Sequence, residues 1–167
     1  DLCLFKTHYY GGIKKYQWSA IPLALHGVVV KKDGTVIDVN IGEEENDPVF
    51  CITDLLPHLG KEQMKRPLSE GLRGEELNIL IGCTPYPDEK VSEKVKLNIA
   101  NILFEKYGFT EADFLSAELT MVPAFKARDL GLDRGMIGAY GHDDRVCAYT
   151  SLMAAIRCKK PTQTTVT

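Results

Sequence analysis

The stretch Gly138-Ala139-Tyr140-Gly141-His142-Asp143-Asp144-Arg145 places two adjacent carboxylates where the residue pattern of the chain changes. The residues before it are short and apolar, and those after it recur at helical spacing: Val146, Tyr149, Met153 and Ile156. This change predicts a strand that leads into a helix, with the acidic pair at the junction. Such a pair is commonly an N-cap aspartate beside a solvated one, but a carboxylate held at this junction can also bind a metal ion. Both interpretations are open on the pattern alone.

The first half of the chain reads as rich in β-structure. Two strand-like runs, residues 23–30 and 35–41, are joined through Lys31-Lys32-Asp33-Gly34. The Asp-Gly pair is a strong signal for a tight hairpin, since both central residues of the commonest tight turn need positive φ. A short strand is predicted at residues 49–52, a helix from about Leu55, and a further strand at residues 77–82.

The second half alternates helices and strands, so the fold class predicted for the whole chain is α/β. One apolar stripe predicts a helix from near Asp88 to Gly108, where glycine suits the left-handed position after a helix. Residues 115–121 alternate between apolar and polar side chains, which predicts a half-buried strand. Residues 164–167 are typical of the beginning of another strand. The apolar stripe of the helix predicted between Asp88 and Gly108 consists of Val91, Val95, Ile99, Ile102 and Leu103.

Composition excludes several classes of protein. The chain has 167 residues, 44% of them apolar, and a net charge of −3 with both signs interspersed. This is enough apolar material for a core, and no Lys and Arg cluster with interleaved aromatics indicates nucleic-acid binding. No apolar run approaches the ~20 residues needed to span a bilayer. We therefore expect a soluble, cytoplasmic protein with neither nucleic-acid nor membrane partners.

Five cysteines are spread along the chain without a C-x-x-C pair. An odd number at wide spacing favours free thiols in a reducing compartment over disulfides or a structural zinc site. Cys51 and Cys147 lie within apolar periodic segments, so we expect them to be small buried hydrophobic residues.

Three long runs together resemble the aspartyl aminopeptidase and aminopeptidase I family of dizinc peptidases. They are HYYGGIKKYQW (residues 8–18), DPVFCITDLLPHL (residues 47–59) and ARDLGLDR (residues 127–134) leading into GHDDR (residues 141–145). The resemblance implies a β-rich inserted dimerisation domain over residues 1–84 and part of a zinc-peptidase α/β sandwich over residues 85–167. It also implies that the chain is an internal portion of a longer enzyme, with the other zinc ligands and the glutamate general base outside it.

The resemblance assigns roles to two residues. Asp143 matches the aspartate that bridges two zinc ions, and its peptide bond to Asp144 is expected to be cis. Because adjacent strand residues point to opposite sides, His142 and Asp143 are not expected to serve one metal centre. Without the resemblance, His58 would be read as a helix-start or partly buried structural histidine. With it, His58 is expected to reach a neighbouring subunit's active site and donate a hydrogen bond to the substrate carbonyl or developing oxyanion.

The function implied for the complete protein is a zinc-dependent aminopeptidase that removes N-terminal residues from peptides. Its dimers would build a tetrahedral homo-oligomer of twelve subunits. The 167-residue chain alone is expected to be inactive. The alternative is a noncatalytic oligomerisation module of the same family, and zinc content per chain separates the two. The sequence does not decide between acidic and neutral N-terminal residues as substrates.

Overall fold

Eight short strands and two helices are described by a computed structural model that covers all 167 residues. In chain order they are β1 (Cys3–Phe5), β2 (Leu23–Val30), β3 (Val36–Ile41), β4 (Cys51–Ile52), β5 (Ile79–Gly82), α1 (Lys94–Tyr107), β6 (Ala117–Pro123), β7 (Arg128–Leu130), β8 (Met136–Gly138) and α2 (His142–Arg157). The strands form three small sheets, of order β1-β5-β4, β3-β2-β6 and β7-β8. Every strand pair is antiparallel. The predicted mixture of helices and strands is confirmed at this level.

The hairpin predicted around Asp33-Gly34 is confirmed. Strand β2 pairs with β3 from Leu25↔Ile41 to Val30↔Val36. Its turn differs from the tight two-residue type, because only Gly34 has a positive φ (+85°). The Gly34 N–H donates to the Lys31 carbonyl, and the Lys31 N–H donates to the Thr35 carbonyl. This is a three-residue loop that ends in a left-handed glycine.

The contacts divide the chain into two compact units, Asp1–Ala124 and Phe125–Thr167. The first unit holds two clusters of buried side chains. One combines residues of β2 and β3 with Leu103 of α1 and Phe109, which is 1% exposed. The other gathers Leu23, Ile52, Leu77 and Ile79. The division expected from the family lies instead after residue 84; it concerns domains of the complete protein and stays a prediction.

Helix α1 ends as predicted but begins later. Gly108 follows its last residue with φ +70°, and the Gly108 N–H donates to the Phe104 carbonyl, closing the helix. The predicted start near Asp88 is wrong, because the helix begins at Lys94 after Glu93, whose φ of +51° is left-handed. A left-handed residue interrupts the helical path, so the residues before it cannot extend the helix.

The helix predicted from Leu55 is also wrong. Residues 55–60 form only a turn, with the Gly60 N–H donating to the Leu56 carbonyl. The three leucines of this segment, Leu55, Leu56 and Leu59, are all more than half exposed. A short helix is stabilised chiefly by packing of an apolar face, and these side chains have no packed surface within the chain.

Two predicted strands also differ from the observed ones. Strand β6 begins at Ala117, and Leu115 lies before it in a 3-10 turn with its side chain 95% exposed. Residues 164–167 form no strand, because no neighbouring strand supplies their hydrogen bonds.

All five cysteines are free, as predicted, but Cys147 is exposed rather than buried and Cys51 is half-buried.

The second unit consists of the β7-β8 hairpin and helix α2. Strand β7 pairs with β8 in the register Asp129↔Ile137. Many of its large apolar side chains are exposed in this chain: Leu130, Leu132, Met136, Ile137, Tyr140, Val146, Tyr149, Leu152 and Ile156.

No helix in the chain is both long enough and apolar enough to cross a membrane.

Candidate functional site

The predicted junction of a strand, an acidic pair and a helix is confirmed in the second unit. Strand β8 ends at Gly138, and α2 begins at His142 after Gly141, which has φ +85°. Asp143 and Asp144 interrupt the helical geometry with φ/ψ of −87°/109° and −117°/22°. The chain is therefore still nearly extended at Asp143 and regular helix follows Asp144, so the carboxylate of Asp143 belongs to the connection between the two elements.

The side chain of Asp143 is exposed and makes no hydrogen bond or ion pair within the chain. The peptide bond between Asp143 and Asp144 is cis, as expected. Both oxygens of this carboxylate are thus available to a ligand, which distinguishes Asp143 from an N-cap aspartate whose oxygen accepts a backbone hydrogen bond.

His142 faces a different partner. Its Nε2 lies 3.1 Å from the Ile137 carbonyl oxygen, and because a carbonyl can only accept, Nε2 carries the proton. This bond ties the first residue of α2 back to β8. The expectation that His142 and Asp143 do not serve one metal centre stays a prediction.

The basic residues near the junction form one ion pair. Arg134 Nη1 lies 3.3 Å from Asp129 Oδ2, and both side chains are more than half exposed. Such an exposed pair contributes little to stability. Arg128 and Arg145 have no ion-pair partner, so the structure gives no reason to add these arginines to the site.

Asp143 offers zinc a chemically suitable carboxylate, but the donor set in this chain is incomplete. Nowhere in the chain do three or more His, Cys, Asp or Glu side chains come together to hold a metal ion. A catalytic zinc ion takes about three protein ligands. Asp143 is therefore not accompanied by a full set of zinc ligands within this chain.

His58 lies in the first unit, within the loop from Asp54 to Gln63. It is exposed, and its ring makes no hydrogen bond or ion pair in the chain. Within this chain, His58 thus lies in a turn rather than at the start of a helix, and it is exposed rather than partly buried. His58 and Asp143 belong to different units, so neither unit alone contains both candidate residues.

One side-chain hydrogen bond closes the loop that carries His58. Gln63 Nε2 donates to Asp54 Oδ1 over 2.9 Å. The sequence analysis did not single out either residue. They lie nine positions apart without periodic pattern, and no signal in a single sequence indicates that their side chains meet.

The remaining two histidines, His26 and His8, lie elsewhere in the first unit. His26 in β2 lies with Nε2 2.9 Å from Glu43 Oε1. His8 is exposed and stacks on the neighbouring Tyr9, with ring centroids 6.2 Å apart.

Comparison with known proteins places this geometry in a family. The model of the aminopeptidase I zinc metalloprotease family (M18) matches residues 1–166. A probable M18 family aminopeptidase 1 from Clostridium acetobutylicum is 56% identical over 167 residues, which are all of this chain and 36% of that protein. A protein of the same description from Thermotoga maritima is 56% identical over 156 residues, which are 93% of this chain and 34% of that protein. The chain thus spans about a third of the length of these relatives.

Solved structures agree. The crystal structure of an M18 aminopeptidase from Thermotoga maritima superposes with a TM-score of 0.89 at 53% identity, covering 97% of this chain and 35% of that one. Aminopeptidase I from Clostridium acetobutylicum superposes with a TM-score of 0.87 at 52% identity, covering 96% and 35%. With a family match along nearly its whole length, the chain belongs to the aminopeptidase I zinc metalloprotease family, M18.

Proposed function

We propose that the complete protein is a zinc-dependent aminopeptidase, a hydrolase that removes N-terminal residues from peptides. In this proposal the present chain supplies one metal ligand and one catalytic side chain. The observation that carries it is Asp143, an exposed carboxylate without a partner in the chain, held at the junction of β8 and α2. Membership of a zinc metalloprotease family supports the assignment of that carboxylate to zinc.

Asp143 is proposed to bridge two zinc ions. A carboxylate has two oxygens, so one aspartate can bind two metal ions held ~3.5–4 Å apart. The remaining ligands would come from the parts of the longer protein that this chain does not include. Residues 85–167 would accordingly form part of a zinc-peptidase α/β sandwich in the complete protein.

His58 is proposed to act on a neighbouring subunit's substrate. Its ring is exposed and unpaired, and it is flanked by Leu55, Leu56 and Leu59, which are 55%, 53% and 69% exposed. Exposed apolar side chains next to an unpaired histidine are typical of a loop that becomes buried against another subunit. Once buried, a fixed N–H donor would stabilise negative charge that develops on the substrate carbonyl oxygen.

The proposal therefore includes an oligomer. Residues 1–84 would form an inserted dimerisation domain, and dimers would assemble into a tetrahedral dodecamer in the cytoplasm. The alternative function, a noncatalytic oligomerisation module of the same family, predicts the same assembly without bound zinc.

The Asp143 assignment is tested in the full-length protein by Asp143→Asn. This change keeps the shape of the side chain but removes its charge, and we expect aminopeptidase activity to fall at least ~100-fold together with the zinc content per chain. Asp38→Asn is the matched control, because Asp38 is exposed in β3 and makes no ion pair. Full zinc content and activity in Asp143→Asn would overturn the assignment, and an assembled wild-type protein without zinc would favour the noncatalytic alternative.

The His58 assignment is tested by His58→Ala against His8→Ala. Both histidines are exposed in the first unit, but only His58 is proposed to touch substrate. We expect His58→Ala to lower kcat by ~100-fold or more, the usual effect of losing one oxyanion donor, with zinc content and assembly unchanged. Equal activity of the two variants would exclude the proposed role.

A further inference from the structure

The loop of residues 54–63 raises the question of what holds His58 in place. We propose that Asp54 and Gln63 are positioning residues, whose side-chain hydrogen bond fixes the loop so that His58 presents its ring in one orientation. This inference rests on the proposed function of His58.

The Gln63 amide links the beginning, the interior and the end of the loop. Its Nε2 donates to Asp54 Oδ1 over 2.9 Å, and the same oxygen accepts the Leu55 N–H over 2.8 Å. Its Oε1 faces Gly60, where an added methyl group would lie only 3.2 Å away. Gly60 is buried although the residues around it are exposed. The amide therefore fills the inside of the loop.

The strand before the loop gives the hydrogen bond a fixed base. Asp54 follows β4, whose Ile52 is 3% exposed and belongs to the second core cluster. The Ala20 N–H donates to the Ile52 carbonyl over 2.9 Å, and Ser19 Oγ lies 3.5 Å from the second oxygen of Asp54. Asp54 thus follows a strand that is anchored in the core, and its carboxylate lies beside the Ser19 hydroxyl.

Little else restrains the loop. Its own backbone hydrogen bonds are local, running from Leu59 and Gly60 to Leu56 and from Met64 to Gly60. The exposed leucines do not pack against the core of the chain. The Asp54–Gln63 bond is therefore the constraint that joins the two ends, and a donor displaced by ~1 Å can lower the rate ~100-fold.

The decisive experiment compares the loss of this hydrogen bond with its conservation in the full-length protein. Gln63→Glu places two carboxylates in contact, whereas Asp54→Asn keeps at position 54 an amide oxygen that can accept from both the Leu55 N–H and Gln63 Nε2. We expect Gln63→Glu to lower kcat by ~10-fold or more with KM, zinc content and assembly unchanged, and Asp54→Asn to stay within ~3-fold of wild type. Glu62→Gln is the control, since Glu62 lies in the same loop and its side chain pairs with Lys65.

Gln63→Ala removes the bond without adding a charge, and it replaces Gln63→Glu if the latter does not assemble. Hydrogen exchange of the amides of residues 55–62 is measured on every variant, and we expect faster exchange in the Gln63→Glu and Gln63→Ala variants and rates close to wild type in Asp54→Asn. Unchanged kcat in both Gln63 variants, alongside an inactive His58→Ala protein, would overturn the positioning role. Full activity of His58→Ala would instead show that the proposed role of His58 has failed, and the exchange rates would then decide whether the bond orders the loop.

Discussion

Gly27 in β2 lies against the backbone of Glu118 in β6 so closely that a methyl group at position 27 would fall 1.9 Å from the Glu118 carbonyl oxygen. Gly27 also has φ +149°, a conformation that residues with a side chain rarely adopt. Because β2 is the central strand of its sheet and pairs with both β3 and β6, the backbone at Gly27 has no free side toward which to move.

We therefore expect Gly27→Ala to reduce the free energy of unfolding by ~3 kcal/mol or more, because backbone rather than a flexible side chain must shift. Gly12→Ala is the matched control, since a methyl group added at Gly12 would meet no other part of the chain within 4 Å and Gly12 has no positive φ. Urea unfolding followed by the fluorescence of Trp18, the only tryptophan, measures both. Similar midpoints for the two variants would contradict the close approach.

A second prediction concerns Glu76 and the dependence of stability on pH. The Arg73 N–H donates to Glu76 Oε2 over 2.9 Å, and Arg66 Nη1 lies 3.0 and 3.2 Å from the two carboxylate oxygens. The Arg73 backbone N–H first, and the Arg66 guanidinium after it, hold the pKa of Glu76 below its ordinary value of 4.5. Since the folded pKa is the lower one, the carboxylate's contribution to stability is complete above the ordinary value and is lost as pH falls through the folded one.

Glu76→Gln should accordingly lower the urea midpoint at pH 7, and the difference from wild type should shrink at pH 3. Glu62→Gln serves as control, because the Glu62–Lys65 pair is largely exposed on both sides and we expect little effect at either pH. A difference between wild type and Glu76→Gln that stays constant with pH would show that the ionised carboxylate is not the cause.

The elements predicted correctly from sequence are those that local chemistry determines. Asp33-Gly34 between two apolar runs is enough for a hairpin, and Gly108 is enough to end a helix. The prediction of a helix from Leu55 was wrong because the spacing of apolar residues does not show whether they will pack against other parts of the chain. The leucines of this loop are more than half exposed. The predicted start of α1 was wrong for another reason, since nothing in the residue type of Glu93 indicates its left-handed backbone.

In the candidate site too, the features that could be predicted from the sequence are those that depend on local patterns. The junction at Asp143 could be predicted because apolar residues before it and helical spacing after it are local patterns. The bond between Asp54 and Gln63 could not, because it depends on the path of the loop between them. Outside the site, the ion pair between Arg66 and Glu76 could not be predicted either, because it too depends on the path of the chain between the two residues.

A third prediction concerns the metal affinity of this chain by itself. Asp143 is the one proposed ligand in it, and no group of three metal-binding side chains accompanies it. We expect the purified 167-residue chain to retain little zinc after dialysis and to show no turnover of an amino-acid anilide. Elemental analysis measures the zinc, with the full-length protein as control. Stoichiometric zinc in the short chain would mean that its residues form a centre on their own.

The last prediction separates action within a subunit from action between subunits. Full-length His58→Ala protein has intact metal ligands, and full-length Asp143→Asn protein has intact His58 loops, so each alone should be nearly inactive. If His58 acts on a neighbouring subunit, mixed assemblies regain part of the wild-type kcat, because some intact metal centres then meet an intact histidine from the other variant. Mixing by dissociation and reassembly, followed by an activity assay and native mass spectrometry, detects both the recovery and the mixed species. Mixed assemblies that form normally yet stay inactive would mean that His58 serves its own subunit or has only a structural role.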